Sequence, residues 1–273
     1  MVARTVAFLT VLLGADASAQ TIHLTEKEYF GAPGFSFLMF HNNYMVGYQG
    51  GLQLIQQDER LLDSGDLYVV PAPGVAEPRR VVLRREVDRG SNSVLVHGRI
   101  QDWDIGYRLI CRTDGRHITV RLRLEKPLDP DKTRGAGLRL YAYPGVYMQK
   151  SYQSESTSGV FPRQYTGQAV LLDGAHRLVL AAESRRYRVE VARRQGTLEL
   201  LDNRQRSPQP WFAIQAPLDL QAGADELEIE ITPTIIPGWR RPPVIGISQA
   251  GYHPRQPKRA VLELDPLETV LES

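Results

Sequence analysis

The chain has 273 residues, enough for one large domain or two ordinary ones, and 33 basic residues stand against 31 acidic ones. That balance excludes a strong uniform field, and the basic residues, mostly Arg, are scattered along alternating segments rather than gathered into a stripe for nucleic acid. Cys111, the single cysteine, excludes an intrachain disulfide; in phase with Tyr107 and Leu109, it reads as a small core residue.

At the N-terminus, Arg4 is followed by an apolar run from Val6 to Leu13 and then by Ala17-Ser18-Ala19. A charge, a short apolar stretch and a small-residue site in that order predict a secretory signal peptide over 1–19. The run is too short to span a bilayer, and no other stretch approaches that length. The mature chain is therefore expected to be secreted or periplasmic, without a membrane span.

From about residue 35 to residue 232 the dominant signal is alternation with a period of two. His117 to Glu125 puts Ile118, Val120, Leu122 and Leu124 on one face, with Thr119, Arg121 and Arg123 on the other. The same pattern recurs around Tyr107–Cys111, Tyr187–Val191 and Leu227–Ile231, with turn clusters between them such as Asp88–Asn92 and Thr113–Gly115. Roughly fifteen strands are predicted before Pro233, too many for a small immunoglobulin-type sandwich. The expected fold class is all-β: a large antiparallel β-sandwich, supersandwich-like, over 20–232, with two abutting sandwiches as the alternative. Residues 233–243 contain four prolines and read as a stiff linker.

Three stretches could meet a ligand. The first is Tyr141–Tyr165, which holds five of the twelve tyrosines together with Gln, Lys, Arg and Ser. Sugars present C–H faces flanked by hydroxyls, so aromatic faces with polar neighbours suit them. Tyr143, Tyr147, Lys150, Tyr152, Arg163 and Tyr165 are the substrate-binding candidates here; the competing reading is packing at a sheet edge beneath a solvated loop. The second is Phe40–Gly51, read as a tight hairpin with Asn42-Asn43 at its turn. The third is Trp103, flanked by Asp102 and Asp104, either an exposed sugar platform or a cap on the sandwich end.

Catalytic signals are sparse. Glycoside hydrolysis needs two carboxylates across one bond, and nothing in the spacing of the acidic residues selects a pair. The six histidines are dispersed, with no pair at metal-ligand spacing, so neither a metal nor a cofactor is expected. Phosphate-loop, dinucleotide and Gly-x-Ser-x-Gly signatures are absent from the sequence.

Near the C-terminus, Ser248-Gln249-Ala250-Gly251-Tyr252-His253-Pro254 is followed by Pro257-Lys258-Arg259-Ala260-Val261. Physically this is a strand, a stiff turn and a second strand. The run resembles the opening of the immunoglobulin-like domain that precedes the catalytic barrel in family 9 glycoside hydrolases, the cellulase family. The resemblance implies that 244–273 is an incomplete immunoglobulin-like segment, expected either to add a strand to the sandwich or to pack poorly. It also implies a downstream catalytic domain as partner. The family's Asp-Ala-Gly-Asp type motif is missing from this sequence. The expected function is thus a non-catalytic, carbohydrate-associated module on the N-terminal side of a glycoside hydrolase, with oligo- or polysaccharide as its expected ligand. The alternatives are a sugar-active enzyme resembling the aldose-epimerase supersandwich, with His97 or His117 acting with Glu155, and a purely structural interaction domain.

Overall fold

The computed structural model describes residues 21–44, 47–205 and 210–265; the predicted signal peptide lies outside the described residues. Strands dominate, and among the described residues the single α-helical turn is Pro144–Tyr147. The strands in chain order are β1 (His23–Leu24), β2 (Phe30–Ala32), β3 (Phe35–Tyr44), β4 (Gly47–Gln56), β5 (Glu59–Pro71), β6 (Arg80–Asp88) and β7 (Ser93–Ile100). They continue with β8 (Ile105–Thr113), β9 (Ile118–Leu124), β10 (Thr133–Ala142), β11 (Ser151–Gln153), β12 (Ser158–Val160), β13 (Val170–Ala175) and β14 (Arg177–Leu180). The last are β15 (Val189–Ala192), β16 (Leu198–Asp202), β17 (Phe212–Pro217), β18 (Glu226–Pro233), β19 (Val244–Ile247) and β20 (Ala260–Glu263).

The first eighteen strands form two nine-stranded antiparallel sheets, in the orders β1-β2-β3-β4-β5-β10-β17-β16-β13 and β12-β11-β14-β15-β18-β9-β8-β7-β6. We call them the first and second sheets. Each contains a meander, β1 to β5 in one and β6 to β9 in the other, and the later strands cross between layers. The expected large sandwich is therefore what forms. Its core follows from the alternation: Ile118, Val120, Leu122 and Leu124 of β9 are buried, as are Leu227, Ile229 and Ile231 of β18 beside them. Cys111 is also buried, and burial pushes its thiol well above the ordinary range.

One irregularity in β5 shapes the first sheet. The register with β10 shifts between Arg139 and Tyr141, opposite Ser64 and Gly65, and Ser64 has a φ of 49°. Position 65 accepts no side chain, because a Cβ there would lie 2.7 Å from Leu52 Cβ and closer still to Leu140. The bulge leaves Asp63 across from Tyr141 on β10.

One expectation about local structure is corrected, and one left with two outcomes is resolved to the second of them. Asn42 and Asn43 are not the turn of the β3–β4 hairpin: they pair with Gln49 and Tyr48, and the ladder runs on to Tyr44–Gly47. Residues 244–265 add no strand to either large sheet: β19 and β20 pair only with each other. Ile245, Ile247, Val261 and Leu262 of that hairpin are 59–69% exposed, which agrees with poor packing. The linker before it is held at its start by Thr234, whose N–H donates to Gln56 Oε1 at 2.9 Å. Further on, the Trp239 ring lies against Gly34, and the Arg241 N–H donates to Asp265 at 2.8 Å.

Candidate functional site

The middle of the first sheet places β5, β10, β17 and β16 side by side. On these strands Leu138, Leu140, Ile214 and Leu200 turn into the core, so Arg139, Tyr141, Gln215 and Glu199 fall on the outer face. Arg139 is the centre. Its guanidinium lies 4.4 Å from the Tyr68 ring centroid and 5.9 Å from that of Tyr141. With the Gln215 amide assigned the orientation its neighbours require, its oxygen accepts from Arg139 Nη2 at 2.5 Å and Nε at 2.7 Å, and its nitrogen donates to Glu199 Oε2 at 3.2 Å. That amide orientation satisfies both neighbours at once.

The electrostatics follow from partial enclosure. Burial pushes the Tyr68 hydroxyl up to about 12, helped by the negative charge of Glu199 and opposed by Arg139 and Arg193. Burial also raises the Glu199 carboxyl, and the nearby Asp173 charge adds to this while Arg139 opposes it.

Aromatic rings continue from this polar group. Tyr141 meets Trp211 edge-on with centroids 6.3 Å apart, and Trp211 meets Tyr143 edge-on at 5.3 Å. Tyr143 is 42% exposed and Trp211 is half-buried, so this end of the file opens to solvent. Asp63, facing Tyr141 across the ladder, accepts from Arg60 at 2.9 Å and from the Ser64 N–H at 2.6 Å. The arrangement offers what a pyranose chain needs: ring edges and faces beside a guanidinium, an amide and carboxyl groups.

The candidates named from sequence fall into separate places. Tyr143 belongs to the file. Tyr147 and Tyr152 do not: their rings are buried against Phe161 at 5.5 and 5.2 Å, and Phe161 packs on Phe212 at 4.6 Å. As a correction, these two rings are core packing at the sandwich end, with the Tyr147 hydroxyl donating to the Tyr187 carbonyl at 3.2 Å and that of Tyr152 to Leu171 at 3.4 Å. Lys150 sits 4.7 Å from the Tyr187 ring centroid, and Tyr165 donates to its own loop at the Gly167 carbonyl. Arg163 is exposed, and its carbonyl accepts from Arg204, which grips Asp202 through two nitrogens. Trp103 lies in a 3-10 turn, partly buried against the core, while Asp102 beside it is taken up by Arg79.

Glu155, His97 and His117 are held by separate sets of neighbours. Glu155 accepts from the N–H groups of His176 and Arg177 at 2.7 and 3.3 Å, and the first of these bonds holds its carboxyl below the usual range. That is turn capping. His97 faces Glu86 at 3.6 Å on the second sheet, and His117 contacts Thr232 at 2.9 Å and Glu230 at 3.7 Å. Among the described residues, no three His, Cys, Asp or Glu side chains are grouped to hold a metal ion. None of the helices among them is long and apolar enough to cross a membrane.

Arg139, Glu199, Gln215, Trp211 and Tyr68 were not singled out from sequence. For Tyr68, Arg139, Glu199 and Gln215 the only signal is a large polar or aromatic side chain in the outward phase of an alternating strand, and Trp211 stands in the bend just before β17. Neither known protein families nor characterised protein sequences give a match to this chain.

Proposed function

We propose that the chain is a secreted, non-catalytic, carbohydrate-associated β-sandwich module of the kind found on the N-terminal side of a family 9-like glycoside hydrolase. In this reading it holds a neutral sugar chain along the outer face of the first sheet. The observation that carries it is the file Tyr143, Trp211, Tyr141, Arg139 and Tyr68, in which the exposed Tyr143 and half-buried Trp211 lead through the buried Tyr141 to a guanidinium whose neighbours are an amide and a carboxyl. Titration calorimetry with a soluble β-glucan tests it. The wild-type chain binds, and Tyr143→Ala and Trp211→Ala lose binding while their melts stay cooperative; undiminished binding by both variants refutes it.

The resemblance of Ser248–Val261 to the start of an immunoglobulin-like domain supports a neighbouring domain as partner. So does the aliphatic exposure of β19 and β20, since side chains of this kind are normally covered.

The second reading is a sugar-active enzyme of the aldose-epimerase-like type. The raised Glu199 carboxyl favours it, because a carboxyl that holds its proton more tightly than usual suits the role of a general acid beside bound sugar. Polarimetry of aldose mutarotation decides: turnover lost in Glu199→Gln supports it, and no turnover by the wild type removes it.

A further inference from the structure

The outer face of the second sheet carries an independent feature. Across β6, β7, β8 and β9 the ladder aligns Arg84, His97, Arg108 and Arg123 in a single row. Residues directly opposite one another on neighbouring strands are close enough to interact, and like charges placed so repel. The ends of the row are compensated: Glu86 lies 2.8 Å from Arg84 and 3.6 Å from His97, and Glu226 lies 3.6 Å from Arg123. Arg108, in the middle, forms no ion pair with any described residue. Arg84 and Arg123 are 63% and 53% exposed, so the row is open to solvent.

The next row of the same ladder is apolar at its centre, with Leu95 opposite Ile110. Both are half-buried and line a depression of about 300 Å³ with Glu86, Asp88 and Arg112 at its margin. Basic side chains at strand spacing thus border an apolar floor, with carboxylates at the edges.

We infer that this face is a second binding site, for an acidic polysaccharide whose uronate carboxylates meet Arg108 and Arg123. The C–H faces of its rings would lie on Leu95 and Ile110, and its hydroxyls would donate to Glu86 and Glu226. A phosphodiester polymer fits less well, because it brings unbroken negative charge toward those same carboxylates and has few hydroxyls to give them. The site stands apart from the aromatic file on the first sheet and does not depend on it.

Affinity electrophoresis in gels containing polygalacturonate, at low salt, tests the inference on the intact chain. The wild type is retarded, added salt relieves the retardation, and Arg108→Glu weakens it by roughly tenfold. Arg108→Gln, which removes the charge without reversing it, gives an intermediate loss, and Trp211→Ala leaves retardation unchanged. A cooperative melt of each variant shows that the sandwich is intact. No retardation of the wild type overturns the inference, as does Arg108→Glu or Arg108→Gln behaving as wild type. Tighter binding to duplex DNA than to polygalacturonate overturns it as well.

Discussion

Replacing Phe161 by Ala tests whether the tyrosine-rich stretch is partly core. The ring is fully buried and touches three others: Tyr147, Tyr152 and Phe212. Burying roughly 150 Å² of aromatic surface at about 25 cal/mol per Å² gives about 4 kcal/mol. The cavity left among three rings that cannot all collapse keeps the cost in the range of about 3–5 kcal/mol. Urea unfolding followed by tryptophan fluorescence reads this as a shift in midpoint at an unchanged slope. Val160→Ala, at a neighbouring exposed position, should stay within about 0.5 kcal/mol of wild type. A Phe161→Ala cost below about 1 kcal/mol would refute the packing argument. So would loss of β-glucan binding in Tyr147→Phe without loss of stability.

Three further outcomes follow from the same geometry. The Glu199 carboxyl is raised in the folded state, so its contribution is fully present below the ordinary carboxylate value and is lost as pH rises through the raised one. Relative to Glu199→Gln, the wild type should lose melting temperature across that window and run parallel above it; a difference that does not change with pH would contradict the assignment. Cys111, fully buried with its thiol pushed up, should resist a thiol reagent until urea unfolds the chain, and rapid labelling of the native protein would count against the core placement. Amide exchange in 244–263 should be much faster than in 117–125, because β19 and β20 pair only with each other; equal protection would mean that the hairpin is covered.

The sandwich was legible because its code is local. Alternation in Ile118–Leu124 and Leu227–Ile231 states which side chains are buried before any partner strand is known, and the turn clusters mark where strands stop. Asn42 and Asn43 misled because residues common in turns are also tolerated within a ladder, and the register was set by Phe35, Phe37 and Met39 pointing inward. The tyrosine-rich stretch misled in a different way. Composition counts rings, whereas burial separates them: Tyr147 and Tyr152 go inward around Phe161, while Tyr143 stays out. The site itself was hidden by topology. Tyr68, Arg139, Glu199 and Gln215 lie far apart in sequence and become neighbours only because β5, β10, β17 and β16 are adjacent through crossovers between layers. No period along the chain records that adjacency.

The most direct measurement is hydroxyl-radical footprinting of the intact chain with and without a soluble β-glucan. Protection concentrated at Tyr143 and Trp211, with Leu83 and Val160 modified to the same extent in both states, is the result expected if sugar lies on the outer face of the first sheet. Saturating glucan that leaves Tyr143 and Trp211 as reactive as before would contradict it.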